Sequence, residues 1–192
     1  MRELTSSIKI GSVTESENPA HRLSRRAMLG SLGVGVAGVA AMTTATAPQA
    51  QAQLDEGYEA MLMKCIDPRF TTNAWNYMNN RGWQNNYSEF AFAGGPVGVV
   101  APVFAGWHET FWENLAISVD LHWVKRVVGM THRDCGAAAV AYGDRVKTDR
   151  AFETEVLSMA LREFRTQVQR REPELGVELG IMEFDGNVQY VD

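Results

Sequence analysis

Cysteine is scarce in this 192-residue chain, which has two, and histidine is nearly as scarce, with four. Two thiols permit one disulfide at most, so a heavily cross-linked scaffold is excluded. A surplus of positive charge is also missing: 18 Lys and Arg stand against 23 Asp and Glu, a net charge of −5. That balance disfavours nucleic acid and anionic membrane surfaces as partners, because both are bound largely through basic side chains. No internal repeat is visible, and no low-complexity segment lies beyond the first fifty or so residues, which excludes solenoids and propellers.

Long runs of Leu and Ile are absent as well. The one extended apolar stretch, residues 27–47, is rich in Gly, Ala and Thr and lacks a stop-transfer flank, so it does not read as a membrane span. Ser24-Arg25-Arg26 sets a twin arginine directly ahead of it, and Ala50-Gln51-Ala52 follows with a small-x-small cleavage pattern. Residues 1–52 are therefore expected to be a twin-arginine signal peptide, cleaved near Ala52, that delivers a folded protein to the periplasm with no stable membrane anchor. Residues 53–192 then form a single domain, with 13 basic against 20 acidic residues.

Along that domain strands and helices alternate, which predicts an α/β fold with a mostly parallel central sheet flanked by helices. Strands are expected over 60–66, 87–93 and 124–130, and helices over 71–81, 106–122, 136–142 and 150–171. A C-terminal antiparallel hairpin, 178–184 with 188–191, is expected around Asp185-Gly186-Asn187. The apolar stripe of the second helix reads Trp107, Phe111, Leu115 and Val119, and that of the last helix Phe152, Val156, Met159, Leu161, Phe164 and Val168. The five tryptophans, Trp75, Trp83, Trp107, Trp112 and Trp123, read as core or interface residues.

The chemistry concentrates where two strands end. Cys65-Ile66-Asp67-Pro68-Arg69 closes the first, and His132-Arg133-Asp134-Cys135-Gly136 follows the third. Cys65, His132 and Cys135 make a three-donor zinc set, and three protein ligands with one open position is the pattern of a catalytic rather than a structural zinc site. A Cys65–Cys135 disulfide is the alternative, but it explains neither His132 nor Asp67. On an extended backbone Asp67 points to the same side as Cys65, as a possible fourth ligand or as a partner to Arg69. Asp134 is expected to cap the following helix or to serve the site. His108 and His122 read as exposed or satisfied histidines.

Cys-x-Asp-x-Arg followed at this distance by His-x-x-Cys-Gly resembles the β-class carbonic anhydrases, and the resemblance runs through residues 53–192. Phe90-Ala91-Phe92-Ala93-Gly94-Gly95 is similar to the family's Arg-Asn-Ala-Gly segment, Glu113-Asn114-Leu115-Ala116-Ile117-Ser118 to its following helix, and Asp185-Gly186 to its closing strands. The resemblance implies Zn2+ held by Cys65, His132 and Cys135, with Asp67 and Arg69 as the catalytic dyad beside it. It further implies reversible hydration of carbon dioxide to bicarbonate by zinc hydroxide, in a homodimer or a multiple of one. Pro68 departs from the family's Ser or Ala, and Ala91-Phe92 from its Arg-Asn. Two alternatives accompany this reading: hydrolysis of carbonyl sulfide or carbon disulfide at the same site, and a non-catalytic zinc-binding or interaction protein.

Overall fold

The computed structural model describes residues 57–192, so the expected signal segment and its cleavage site at Ala52 lie outside the described residues. Five strands form one sheet in the order β2-β1-β3-β4-β5, with β1 Ala60–Lys64, β2 Tyr87–Ala91, β3 Arg126–His132, β4 Gly176–Met182 and β5 Val188–Tyr190. The first four run parallel, and β5 pairs antiparallel with β4. The mostly parallel α/β sheet expected from the alternation is thus present, with its C-terminal hairpin.

Five helices flank it: α1 Thr71–Asn80, α2 Pro96–Val100, α3 Ala105–His122, α4 Gly136–Tyr142 and α5 Arg150–Arg171. Because side chains alternate along a strand, β1 sends Met61 and Met63 to one face and Ala60 and Leu62 to the other. The first face is covered by Val97 and Val99 of α2, Phe111 and Leu115 of α3, and Leu157, Leu161 and Phe164 of α5. Ala74 and Met78 of α1 cover the second, against Leu62, Val128 and Met182. Each of these buried Val, Leu, Met and Phe side chains contributes about 2 kcal/mol relative to exposure. Among the described residues no helix is long and apolar enough to cross a membrane.

Several elements differ from the sequence-based expectations. Gly94-Gly95-Pro96 does not only break a strand. Pro96 opens α2, where its missing N–H costs nothing in the first turn. The hairpin strand β4 begins and ends two residues earlier than expected. Met159 faces outward, 52% exposed, because Leu157 and Ala160 occupy the inner face of α5 in its place. Trp75, Trp107 and Trp123 are exposed, while Trp83 and Trp112 are partly buried against the core, Trp83 under the Arg81 and Arg126 guanidiniums and Trp112 under Arg171. A guanidinium over the indole face gains cation–π attraction.

Glu178 of β4 accepts from Arg81 at 2.6 Å and from Arg126 at 2.9 Å, tying α1 to the sheet. Burial alone would raise its carboxyl, but the two guanidiniums outweigh it and hold the group below its ordinary value. A depressed carboxylate stabilises the fold above its unfolded pKa of about 4.3 and loses that contribution as pH falls through the lower folded value. Glu178→Gln should therefore flatten the acid limb of the melting temperature against pH below about pH 5. An unchanged limb would show that the fork adds nothing to stability.

Candidate metal centre

β1 lies between β2 and β3, so strand order reverses beside it, and in open parallel sheets ligands gather at the carboxyl edge of such a switch point. Lys64 pairs across from Met130, which brings the residues leaving both strands to the same edge. Cys65 follows the end of β1, His132 is the last residue of β3, and Cys135 directly precedes α4. Their three donor atoms all lie within 4.8 Å of one another. Cys135 is 0% exposed, His132 2% and Cys65 9%, and both cysteines are free.

The surrounding atoms suit these donors to a cation. His132 Nδ1 lies 2.8 Å from the Arg133 carbonyl oxygen, and since a carbonyl only accepts, Nδ1 must carry a proton, which leaves Nε2 as the nitrogen that can offer a lone pair once the ring is neutral. Nε2 is buried with no hydrogen-bond partner, within the same cluster as the two sulfurs. Cys65 Sγ accepts the Gly94 N–H at 3.2 Å. The Cys135 thiol, helped by His132 and that N–H against the cost of burial, pulls Cys65 down to about 4, while the same contact pushes Cys135 well above the thiol range. A divalent cation would bind both sulfurs as thiolates and so displace any proton they hold. Burial opposes charging of His132, but Cys65 and the Arg133 carbonyl outweigh it and raise the ring above its ordinary value. Phe70 stacks on the imidazole with centroids 4.2 Å apart and fixes its plane.

Glycine is required where the middle segment meets this site. Gly94 and Gly95 both have positive φ, +84° and +55°, and a Cβ on Gly95 would come within 2.9 Å of backbone atoms of Lys64 and Met130. Neither neighbour can swing away, since both belong to the central strands. Gly95→Ala should cost on the order of 3 kcal/mol and displace the Gly94 N–H from Cys65. A melting temperature equal to wild type would refute that account.

Asp67 accepts the Arg69 N–H at 2.9 Å and caps the single turn Pro68–Phe70, in which Pro68 occupies a position that needs no donor. Arg69 Nε then reaches both Asp67 oxygens at 3.0 and 3.1 Å, and Nη2 reaches Oδ2 at 2.7 Å. This guanidinium holds Asp67 at about 2 against a smaller effect of burial. The carboxylate nevertheless stays beside the donor cluster, with Oδ2 3.9 Å from His132 Nε2.

Arg69 also reaches the other loop, donating to Asp134 Oδ2 at 2.9 Å and to the Asp134 carbonyl at 3.1 Å. Asp134 is consequently not a helix cap. Cys135 occupies the cap position of α4 without a side-chain bond, and Asp134, at φ +55°, turns its carboxylate to the open edge of the guanidinium. His108 Nε2 lies 3.2 Å from the Ala101 carbonyl, and His122 pairs with Ser88 at 2.7 Å, so both are satisfied by near neighbours. The chain thus brings Cys65, Asp67, Arg69, His132 and Cys135 to one place.

Sequence reasoning passed over Arg133 and Glu153. Arg133, between two donors, is 2% exposed and bonded to Glu153, Thr154, Glu183 and Gln189, while Glu153 is 4% exposed. One signal was available: Glu153 lies on the same stripe of α5 as Val156, Leu157 and Ala160, where an acid has no place without a buried partner. On the opposite side of the Cys65 loop, Ile66, Phe90, Phe92, Ala93 and Trp107 line a mostly apolar cleft of about 400 Å³.

No protein-family model matches the chain. Over 131 residues it is 24% identical to an uncharacterized protein of Rickettsia conorii, spanning 68% of this chain and 70% of that protein. An uncharacterized protein of Rickettsia bellii is also 24% identical over 131 residues, 68% of this chain and 80% of the other. Similar solved structures include a carbonic anhydrase from Streptococcus mutans, with TM-score 0.48 and 18% identity over 76% of this chain and 94% of that one. A β-carbonic anhydrase of Aspergillus fumigatus has TM-score 0.45 and 16% identity over 76% of this chain and 81% of the other. One of the tetrameric β-carbonic anhydrases of Sordaria macrospora has TM-score 0.44 and 17% identity over 75% and 86%.

Proposed function

We propose that Cys65, His132 and Cys135 hold one zinc ion and that the protein hydrates carbon dioxide reversibly to bicarbonate there, with Asp67 and Arg69 as the catalytic pair. The observation that carries this reading is the buried convergence of two sulfurs and an unpartnered imidazole nitrogen beside an arginine-held carboxylate. Three donors of this kind suit tetrahedral zinc with one position left for solvent or substrate. When bound, the metal would supply Lewis acidity, which brings proton loss from water into the neutral range.

The protein's own residues have separate tasks. Arg69 keeps Asp67 ionised and turned toward itself, so the carboxylate presents an acceptor next to the donor cluster instead of completing it. Asp134 anchors the far side of the same guanidinium, which limits how far the pair can swing. Gly94 N–H stabilises the negative charge on Cys65.

Recombinant protein should contain about one zinc per chain and accelerate carbon dioxide hydration in a stopped-flow indicator assay. Rates equal to buffer with zinc fully bound would end the carbon dioxide reading. The apolar cleft along Ile66, Phe92 and Ala93 suits uncharged linear molecules in general, carbon dioxide as well as carbonyl sulfide or carbon disulfide, and hydrolysis of the latter two is the second reading. Sulfide release measured on the same preparation separates the two. Export by the twin-arginine route and assembly as a homodimer or a multiple of one complete the proposal, and cell fractionation and light scattering test them.

A further inference from the structure

We infer that Arg133 is a positioning residue that, with Glu153, presets the His132–Cys135 loop for its metal. The inference rests on the zinc reading above and extends it to residues that touch no metal.

A buried guanidinium is unfavourable unless its donors are met and its charge is paired. Arg133 meets those terms with partners from separate elements. It donates to Thr154 Oγ1 on α5 at 2.7 Å, to Gln189 Oε1 on β5 at 2.6 Å, to Glu183 Oε1 at the hairpin turn at 3.0 Å and to Glu153 Oε2 at 3.3 Å. Its own N–H donates to the Met182 carbonyl at 3.0 Å, extending the pairing of β3 with β4 one residue past His132. The other oxygen of Glu153 accepts the Asp134 N–H at 2.6 Å. Both residues between the two donors are therefore tied to one buried carboxylate.

The tie has a direct consequence for the donors. Asp134 is held at φ +55°, a left-handed conformation that Asp tolerates better than most non-glycine residues but in which an unconstrained Asp spends a minority of its time. Relaxation there would rotate Cys135 away from His132, since a single peptide link separates Cys135 from the strained residue. The Arg133 carbonyl also fixes the His132 tautomer, so the loop that the side chain anchors sets the imidazole lone pair as well. Holding both donors in place before binding lowers the ordering cost that a metal must otherwise meet.

The experiment compares wild type, Arg133→Lys and Glu183→Gln. Each is titrated with zinc against a chromophoric chelator and loaded with Co2+ for absorption spectroscopy. Lysine retains charge but lacks the planar fork, so Arg133→Lys should weaken zinc binding about 10- to 100-fold. It should also broaden or shift the Co2+ ligand-field bands. Glu183 is farther from the donors and partly solvated, and Glu183→Gln should weaken binding in the same direction by less than about 10-fold. Folded variants with wild-type affinity and an unchanged Co2+ spectrum would overturn the inference. Should Arg133→Lys fail to fold, Glu183→Gln decides alone by the same two readouts. A wild-type protein that takes up neither metal would instead defeat the zinc reading itself, and this inference with it.

Discussion

Cys65→Ser should leave a folded protein that no longer retains zinc. Serine oxygen can still accept the Gly94 N–H, now at 3.2 Å from the sulfur, so the backbone contact at the end of β1 has a replacement partner. A hydroxyl does not ionise near neutrality, however, and cannot provide the anionic donor that a buried divalent cation needs. Zinc affinity should fall by more than about 100-fold, with carbon dioxide hydration lost in parallel. Zinc per chain after exhaustive dialysis, circular dichroism and the hydration rate form the measurement. Full zinc retention by the variant would remove Cys65 from the ligand set.

Asp67→Asn should do the opposite: keep the metal and lose the rate. The carboxylate spends its lone pairs on Arg69, through contacts of 2.7, 3.0 and 3.1 Å, and stands 3.9 Å from the nearest donor nitrogen. Asparagine can occupy the same space but brings no charge and offers one acceptor oxygen where aspartate offers two. Removing a preorganised group of this kind from a reacting centre typically lowers turnover by about 100- to 1,000-fold. We expect kcat/KM for carbon dioxide to drop by that order, with zinc content unchanged. Loss of zinc together with rate would make Asp67 a ligand, and no loss of either would reduce the pair to a surface salt bridge of little consequence. Arg69→Lys is the companion variant, since a lysine cannot grip both Asp67 and Asp134 through a planar fork.

Much of this was legible in the chain. Cys65 and His132 each follow an apolar run short enough to be a buried strand, and alternating strands and helices leave few arrangements other than a parallel sheet. The positions of α3 and α5 followed from apolar spacing, and Gly186 in Asp185-Gly186-Asn187 marked the final turn, where its φ is +88°. Less legible was α2: a pair of glycines and a proline look like a break, and only the burial of Val97 and Val99 turns the following residues into a helix. The tryptophans, read as core or interface residues, divide: Trp83 and Trp112 pack partly buried against the core, and Trp75, Trp107 and Trp123 are exposed. Apolar area alone did not separate the two groups; Trp83 and Trp112 each lie against the core with a guanidinium over the ring face.

By itself the sequence determined the identities and local order of the donors: two thiols, one imidazole, and an acid-arginine pair two and four residues past the first thiol. It did so because metal chemistry depends on residue type; the extended backbone expected past Cys65 is instead the turn Pro68–Phe70, and it is that turn, capped by Asp67, that brings the acid and the arginine together. Only the tertiary structure decided that β1 and β3 are neighbours, that Asp67 turns to Arg69, that Asp134 serves that arginine rather than a helix, and that Arg133 and Glu153 pair in the interior. Those outcomes depend on which charges remain uncompensated once distant segments have been packed together, and no local spacing encodes that balance.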